Sequence, residues 1–305
     1  MESAYATRPC PVCAADAPSS ERPIQSAPPA EERSFESLQQ LWYGFFPDKA
    51  FFSYQRCAAC DALYCPKYFS DKQLDVLYGS MPANMAEVEA GSLERTQLGY
   101  FQAVPKSLPS GGGLLEIGPD IGLFAEHCVR TGKFERAWMF EPNREVHDEL
   151  RRRLSPTPVE ISTSLTDLSR VPEQSITLAA MIHVLDHLVR PLPFLQELRP
   201  KMRADGVLLI VTHNERSALA RFLRARWPAY CLQHPHLFHP ASMRSILSRA
   251  GFQLARTVRS VNYFPLPFLA KQILLAAKIN APQPPLPSVE LPLKLGNFIT
   301  IARAA

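Results

Sequence analysis

The sequence predicts an α/β protein in which helices cover both faces of a largely parallel sheet, preceded by a small cysteine-bearing module. Three observations carry this. Short apolar runs alternate with helical periodicity from about residue 110 to residue 303. A glycine turn, Gly118-Pro-Asp-Ile-Gly122, separates the first run from the first helix. Two Cys-x-x-Cys pairs, Cys10/Cys13 and Cys57/Cys60, stand well before that region.

The bulk numbers fit a soluble, well-packed chain. Its 305 residues suffice for one large domain plus a small module, and 46% of them are hydrophobic against 20% charged. The formal net charge of +4 comes without a block of basic residues that would demand nucleic acid. The run Arg151-Arg-Arg153 falls at a helix end, where cations suit the dipole. No apolar run follows Met1, and the nearest approach to a membrane span, residues 264–278, is broken by Pro265, Pro267 and Lys271. A cytoplasmic location is therefore expected, with its seven cysteines present as thiols or metal ligands rather than disulfides.

Five cysteines precede residue 66. Four thiolates in two Cys-x-x-Cys knuckles match the tetrahedral geometry of structural zinc, so Cys10, Cys13, Cys57 and Cys60 are the expected ligands. The 43 residues between the pairs exceed the spacing of a compact ribbon, and residues 14–33 read as a solvated loop. Unliganded or redox-active cysteines are the alternative. Cys65 reads as a bystander; Cys128 and Cys231 read as buried small apolar residues.

Residues 69–106 have a moderately polar helical pattern (Leu74, Val76, Leu77, then Val88, Leu93, Leu98), and Ser107-Leu-Pro-Ser-Gly-Gly-Gly113 ends it. This divides the chain into a zinc-binding module (1–68), a helical linker (69–109) and a main domain (110–305). Strands are then expected at 114–117, 137–140, 159–161, 176–182, 207–211, 252–258 and 297–303. Helices are expected from Gly122 onward, at 143–154 with Asn143 as N-cap, at 191–202, and at 240–250 closed by Gly251. A proline-rich excursion, 281–292, precedes the last strand.

Glycines at 118 and 122 let backbone approach a ligand and aim helix N-terminal N–H groups at it. Glu141 closes the second strand about 20 residues beyond the turn, where a carboxylate can accept hydrogen bonds from a ribose diol. Together they read as a site for an adenosine-bearing cofactor.

At this point the chain resembles the class I S-adenosylmethionine-dependent methyltransferases, over roughly residues 110–303. The carrying residues are Glu116-Ile-Gly118-Pro-Asp120-Ile-Gly122, Glu141, Ile182-His-Val-Leu-Asp-His-Leu188 and Ala204-Asp-Gly-Val-Leu-Leu-Ile-Val211. Within that superfamily it is most similar to a bacterial group with an N-terminal zinc-binding module. Members often carry a His-Val-Leu-Glu-His-like segment, then a Trp and a His-Leu-x-His-like segment, here Trp227 and His236-Leu-Phe-His239. They are commonly associated with modification of sugars, cell-surface glycans or other small metabolites.

The resemblance implies a Rossmann-like seven-stranded sheet with an antiparallel last strand, plus a small N-terminal zinc-ribbon module. It also implies that S-adenosylmethionine lies against Gly118, Asp120 and Gly122, with Glu116 near its amino-acid end and Glu141 on the ribose. The adenine would fall near residues 164–167. Two positions depart from the family: Asp120 replaces a frequent glycine, and Thr177 stands where strand four usually carries aspartate.

If the acceptor is a hydroxyl or a carbon acid, transfer also needs a base. His183 and His187, four apart, would share one face of a helical turn after strand four. His187 is the first choice as base or acceptor-orienting residue; the plainer alternative is that it only positions the cofactor loop. His183 is expected chiefly to pack on the cofactor. His236 and His239 either line the acceptor pocket or cap the following helix. A metal on His183 and His187 lacks a carboxylate to complete its ligand set. Aromatic and basic residues in 221–227 and 262–268 form a lid, an acceptor wall or core.

The expected function is thus methyl transfer to a small-molecule acceptor, with nucleic acid disfavoured. Two alternatives stand beside it: an RNA methyltransferase docking through the zinc module, and a non-catalytic scaffold. Oligomeric state does not follow from the sequence.

Overall fold

In the computed structural model of the protein, residues 5–19, 21–42, 49–79, 90–276, 279, 282 and 284–304 are described. Val88, Lys278 and Ala281, placed above in the helical stretch, the apolar run and the proline-rich excursion, lie outside them. The amino-terminal part holds β1 (Ala6–Thr7), α1 (Phe35–Gln39), β2 (Gln55–Arg56), β3 (Leu63–Tyr64), β4 (Lys67–Tyr68), α2 (Asp71–Gly79) and α3 (Ala90–Gln102). Then follow β5 (Gly113–Ile117), α4 (Leu123–Val129), β6 (Arg136–Phe140), α5 (His147–Leu154), β7 (Val159–Ser162), β8 (Ile176–Ile182) and α6 (Pro191–Lys201). The chain continues through β9 (Met202–His213), α7 (Ala218–Leu223), β10 (His236–Leu237), α8 (Pro240–Arg249) and β11 (Phe252–Arg259). It ends with β12 (Asn262–Pro265), α9 (Leu266–Ala276), β13 (Glu290–Leu293) and β14 (Asn297–Ala304).

All seven expected strands join one sheet, in the order β11-β14-β9-β8-β5-β6-β7. The last strand, β14, runs antiparallel to both β9 and β11, while β5 pairs parallel with β6 and β8. Strand alternation sends side chains to two separate cores. Leu115, Ile117, Ala179, Met181, Leu208 and Ile210 meet α6 and α8 on one face. Leu114, Met139, Leu178, Ala180, Leu209 and Val211 meet α3 and α4 on the other. Both faces are apolar, which is why these strands read as near-continuous hydrophobic runs.

The amino-terminal part is built into the molecule. β3 pairs with β2 on one side and with β10 on the other. Its aromatic core of Trp42, Phe51, Phe52, Tyr54, Tyr68 and Phe69 packs together with Trp227, Tyr230 and Leu232. The tyrosine hydroxyls donate across the junction, Tyr54 to His234 O (2.5 Å) and Tyr68 to Leu232 O (2.6 Å). The segment 14–33, expected as a solvated loop, is partly structural. Ile24 and Tyr54 exchange backbone hydrogen bonds (3.0 and 2.8 Å), and Ser26 donates to Phe51 O while accepting from Phe51 N. The described parts of the gap between the cysteine pairs therefore act as scaffold for a core that their polar composition conceals. Among the described residues, no helix is long and apolar enough to cross a membrane.

Candidate active site

The glycine turn follows β5 directly. Gly118 takes φ +65° and its N–H donates to Phe140 O (2.8 Å); a Cβ there would stand 2.7 Å from Val184 Cγ2. Gly122 (φ +81°) precedes α4, and a Cβ there would stand 2.7 Å from Leu150 Cδ2. Only glycine combines that backbone with that proximity. Asp120, where the family often has glycine, also takes positive φ (+52°). Aspartate is among the few L residues that tolerate this region, which accounts for the exchange. Thr177, the second departure, sits at the opposite end of the sheet, where its hydroxyl donates to Gly111 O (2.5 Å).

Three carboxylates converge on this turn. Glu141 is buried at the end of β6 and accepts from two backbone N–H groups, Asp120 N on Oε2 (3.0 Å) and Asn143 N on Oε1 (2.8 Å). A carboxylate has about four acceptor sites, so roughly two remain for a ligand diol. Glu116 is buried within β5, and its Oε2 has no hydrogen-bond partner. Burial, then repulsion from Glu141 and Asp120, pushes the Glu116 carboxyl up to about 8. Burial and Glu141 push Asp120 up to about 6, and burial raises Glu141 against the two N–H bonds it accepts. Such crowding of acids suits a cationic ligand.

Beside the turn, at the carboxyl ends of β8 and β9, lies a cluster of imidazoles around one buried carboxylate. Asp186 Oδ2 accepts from His213 Nδ1 (2.7 Å). Its Oδ1 is buried without a partner. His187 Nε2 and His234 Nε2 face each other at 3.1 Å. His234 Nδ1 lies 2.7 Å from Ala229 O and 3.3 Å from Cys231 Sγ. His183 Nε2 lies 3.4 Å from the Tyr100 hydroxyl, which itself accepts from Asn262 Nδ2 (2.7 Å). The Tyr100 proton therefore points to His183.

Burial holds His183 and His187 down to about 3, with the neighbouring rings His213 and His234 adding to it. Burial alone would raise Asp186, but the His213 hydrogen bond and charge hold it well below the usual carboxylate range. Burial opposes charge on His234 too, yet Cys231 and Asp186 bring it up to about 9.

A turn does form after β8, with His187 N and Leu188 N both donating to Val184 O (2.9 and 3.3 Å), but His183 lies outside it and does not share a face with His187. His183 takes φ +54° directly after β8, with its N–H donating to Val211 O (2.9 Å). The two rings diverge, His183 toward Tyr100 and His213, His187 toward His234. His213 and His234 escaped the sequence reading. A histidine at the carboxyl end of an apolar strand was the available signal for His213; nothing in the sequence places residue 234 opposite residue 187. His236 donates through Nε2 to Leu185 O (3.1 Å), holding the turn from beneath. His239 Nδ1 lies 3.0 Å from Glu215 Oε1, and the His239 N–H donates to the Ser242 hydroxyl at the start of α8. Of the aromatic segments, Trp227 is core and sets its edge toward His213 at 6.2 Å, whereas Phe222 is 82% exposed.

The two cysteine pairs form matching knuckles. Ala14 N donates to Cys10 O and Asp61 N to Cys57 O (2.8 Å each), and Ala14 and Asp61 take φ +60° and +62°. All four Sγ atoms lie within 4.8 Å of one another, with Cys10–Cys60 and Cys13–Cys57 at 3.5 Å. Sulfurs on one tetrahedral zinc ion would sit about 3.8 Å apart, so the set is consistent with a zinc site. Beside it Arg56 grips buried Glu215 with two bonds (3.1 and 2.8 Å), while Arg216 pairs with Asp61.

Fold and site together define an α/β enzyme with a nucleotide-type cofactor turn. A family described as a methyltransferase domain matches residues 94–257, more than half of the chain, and the protein belongs to this family of S-adenosylmethionine-dependent methyltransferases. The family implies S-adenosylmethionine as cofactor. No curated protein matches the chain. Solved structures share its fold. One is a chain from the complex between the Haloferax volcanii Trm112 methyltransferase activator and its partner methyltransferase (13% identity, 70% of this chain and 92% of that chain covered, TM-score 0.51). Others are a candidate methyltransferase from Bacillus halodurans (14%, 69% and 99%, 0.51) and an O-methyltransferase family 2 protein from Planctomyces limnophilus in complex with apigenin (12%, 71% and 59%, 0.50).

Proposed function

We propose that the chain transfers a methyl group from S-adenosylmethionine to a small-molecule acceptor, a saccharide or related metabolite. The observation that carries this is the Asp186–His213 pair beside the glycine turn. The cofactor supplies a methyl group already activated on a cationic sulfur, so the protein's task is alignment and proton removal. Asp186 fixes the proton of His213 on Nδ1 and leaves Nε2 free to accept one. With the cofactor bound, His213 would take the acceptor's proton as the acceptor atom attacks, and the cofactor would supply its methyl group to that atom and depart as the neutral sulfide. His187 orients the acceptor, and His183 packs against the cofactor behind it.

In this reading Gly118, Asp120 and Gly122 cradle the methionine part and ribose, Glu141 takes the ribose hydroxyls, and Glu116 faces the amino-acid end. Cys10, Cys13, Cys57 and Cys60 hold zinc in a structural role, since four thiolates leave no open coordination position. Residues 1–68, 69–109 and 110–305 serve as zinc module, helical connection and catalytic domain.

Supplying labelled S-adenosylmethionine with a metabolite extract, a saccharide fraction and total RNA tests the acceptor class. Label is expected in the saccharide fraction. Label in RNA would overturn the reading, and cofactor binding without any transfer would favour the scaffold.

The Glu116 carboxyl gives a second test. It holds its proton up to about 8 in the free protein. The ammonium of a bound cofactor would favour the carboxylate, so binding at pH 7 should release a proton, and at pH 9 should not. Calorimetry in buffers of different ionisation enthalpy measures this, and Glu116→Gln should abolish it. Release of equal size at both pH values would contradict the placement of Glu116.

A further inference from the structure

We propose that Asp186, His187 and His234 form a second metal centre, separate from the four-cysteine site, holding a divalent first-row transition ion through three protein ligands. Each residue offers a ligand atom, and the three atoms lie within 4.8 Å of one another. The two facing Nε2 atoms stand 3.1 Å apart. Nitrogens on one tetrahedral ion would stand about 3.4 Å apart, so an ion would displace the proton that these two nitrogens share and open the pair slightly. The cysteine set is contracted in the same way, at 3.5 Å against about 3.8 Å.

The surroundings are those a metal ligand needs. A metal-bound histidine commonly gives its other N–H to a carbonyl or carboxylate. His234 has that arrangement, with Nδ1 at 2.7 Å from Ala229 O and Nε2 aimed at His187. Asp186 gives one oxygen to His213 and keeps Oδ1 unpartnered in the interior. An unpaired buried carboxylate oxygen is costly, and an ion would satisfy it. The segment bearing His234 is pinned by the hydroxyl of Tyr54, and His187 N donates to Val184 O. The ligands are thus held before any ion arrives.

A second trio, His183, Asp186 and His213, is equally close. The His213–Asp186 pair, at 2.7 Å, is further from the about 3.4 Å that two ligands of one tetrahedral ion require than the His187–His234 pair at 3.1 Å. The His187–His234 side is therefore the one that binds. Two histidines and one carboxylate leave coordination positions open, as in catalytic rather than structural sites. An acceptor heteroatom would bind there, beside His213. That role rests on the acceptor reading above, whereas the presence of the ion does not.

Metal counting on the full-length chain tests the site without any acceptor. The protein is purified, titrated with cobalt(II), and freed of loosely held ions. Zinc plus cobalt should then reach two ions per chain. The second ion should absorb in the visible without a thiolate-to-cobalt charge-transfer band. His187→Ala, at a partly exposed position, should saturate at one ion or weaken the second site at least about tenfold. His234→Ala should do the same. Saturation of the wild type at one ion per chain would overturn the proposal, as would a second ion that carries the thiolate band. Either outcome leaves the labelling result unaffected, so the two proposals fail independently.

Discussion

If Cys10, Cys13, Cys57 and Cys60 hold zinc as proposed, replacing Cys57 with serine should release the ion and unfold the amino-terminal part of the protein. Structural zinc contributes on the order of 10 kcal/mol to folding in small zinc modules. Here an aromatic core shares the load, so a loss of about 3–5 kcal/mol and a clearly lower melting temperature are expected. The damage should spread. The Tyr54 and Tyr68 hydroxyls hold the backbone of His234 and Leu232, and Arg56, one residue before Cys57, grips Glu215 two residues beyond His213. Loss of the knuckle should therefore disturb the imidazole cluster and depress methyl transfer, with the sheet still folded. Elemental analysis and thermal unfolding measure the first effect, and circular dichroism separates it from global collapse. Full metal retention in Cys57→Ser would mean the ligand set is wrong.

His213→Ala should lower kcat by about 10²–10⁴ while leaving cofactor affinity nearly unchanged, the usual range for removal of a general base. The rate is to be read on whichever acceptor the labelling experiment returns. Asp186→Asn should also be slow, because an amide can present its NH₂ to His213 and favour the wrong tautomer. A second readout needs no acceptor: long-range nitrogen NMR should find the His213 proton on Nδ1 in the wild type and displaced in Asp186→Asn. A His213→Ala enzyme with normal kcat would remove the base from this ring, and His187 would become the stronger choice.

The middle of the sheet was legible because β5, β6, β8 and β9 each carry an apolar run, whereas β7 and β11 mix polar residues and stood out only by the alternating rhythm of strands and helices. Gly118 and Gly122 marked the turn, and the Cys-x-x-Cys spacing marked the knuckles. Strand order was another matter. That the last strand is antiparallel came only through the family resemblance, and its insertion between β9 and β11 was not foreseen, since periodicity carries no pairing information. The site was half visible. Glu116, Asp120 and Glu141 lie in or near the turn that announces them, and the structure brings them together. The imidazole cluster is assembled from chain segments far apart in sequence, so only its 183–187 portion could be seen. Even there the spacing misled: an i, i+4 pair shares a face only in a helix, and positive φ at His183 turns the backbone the other way. The carboxylate that seemed missing from a histidine metal site was Asp186, adjacent to His187. Its ring partner, His234, comes from 47 residues further along the chain, on a segment that the amino-terminal core holds against it.

The most direct measurement is titration calorimetry of S-adenosylmethionine and its demethylated product against wild type and Glu141→Ala. One molecule should bind per folded wild-type chain. Glu141→Ala should weaken it about 100-fold, the loss of two hydrogen bonds to a charged acceptor. Equal affinity in both proteins, or no binding to folded wild type at millimolar ligand, would contradict the placement of the cofactor on Gly118–Gly122 and Glu141.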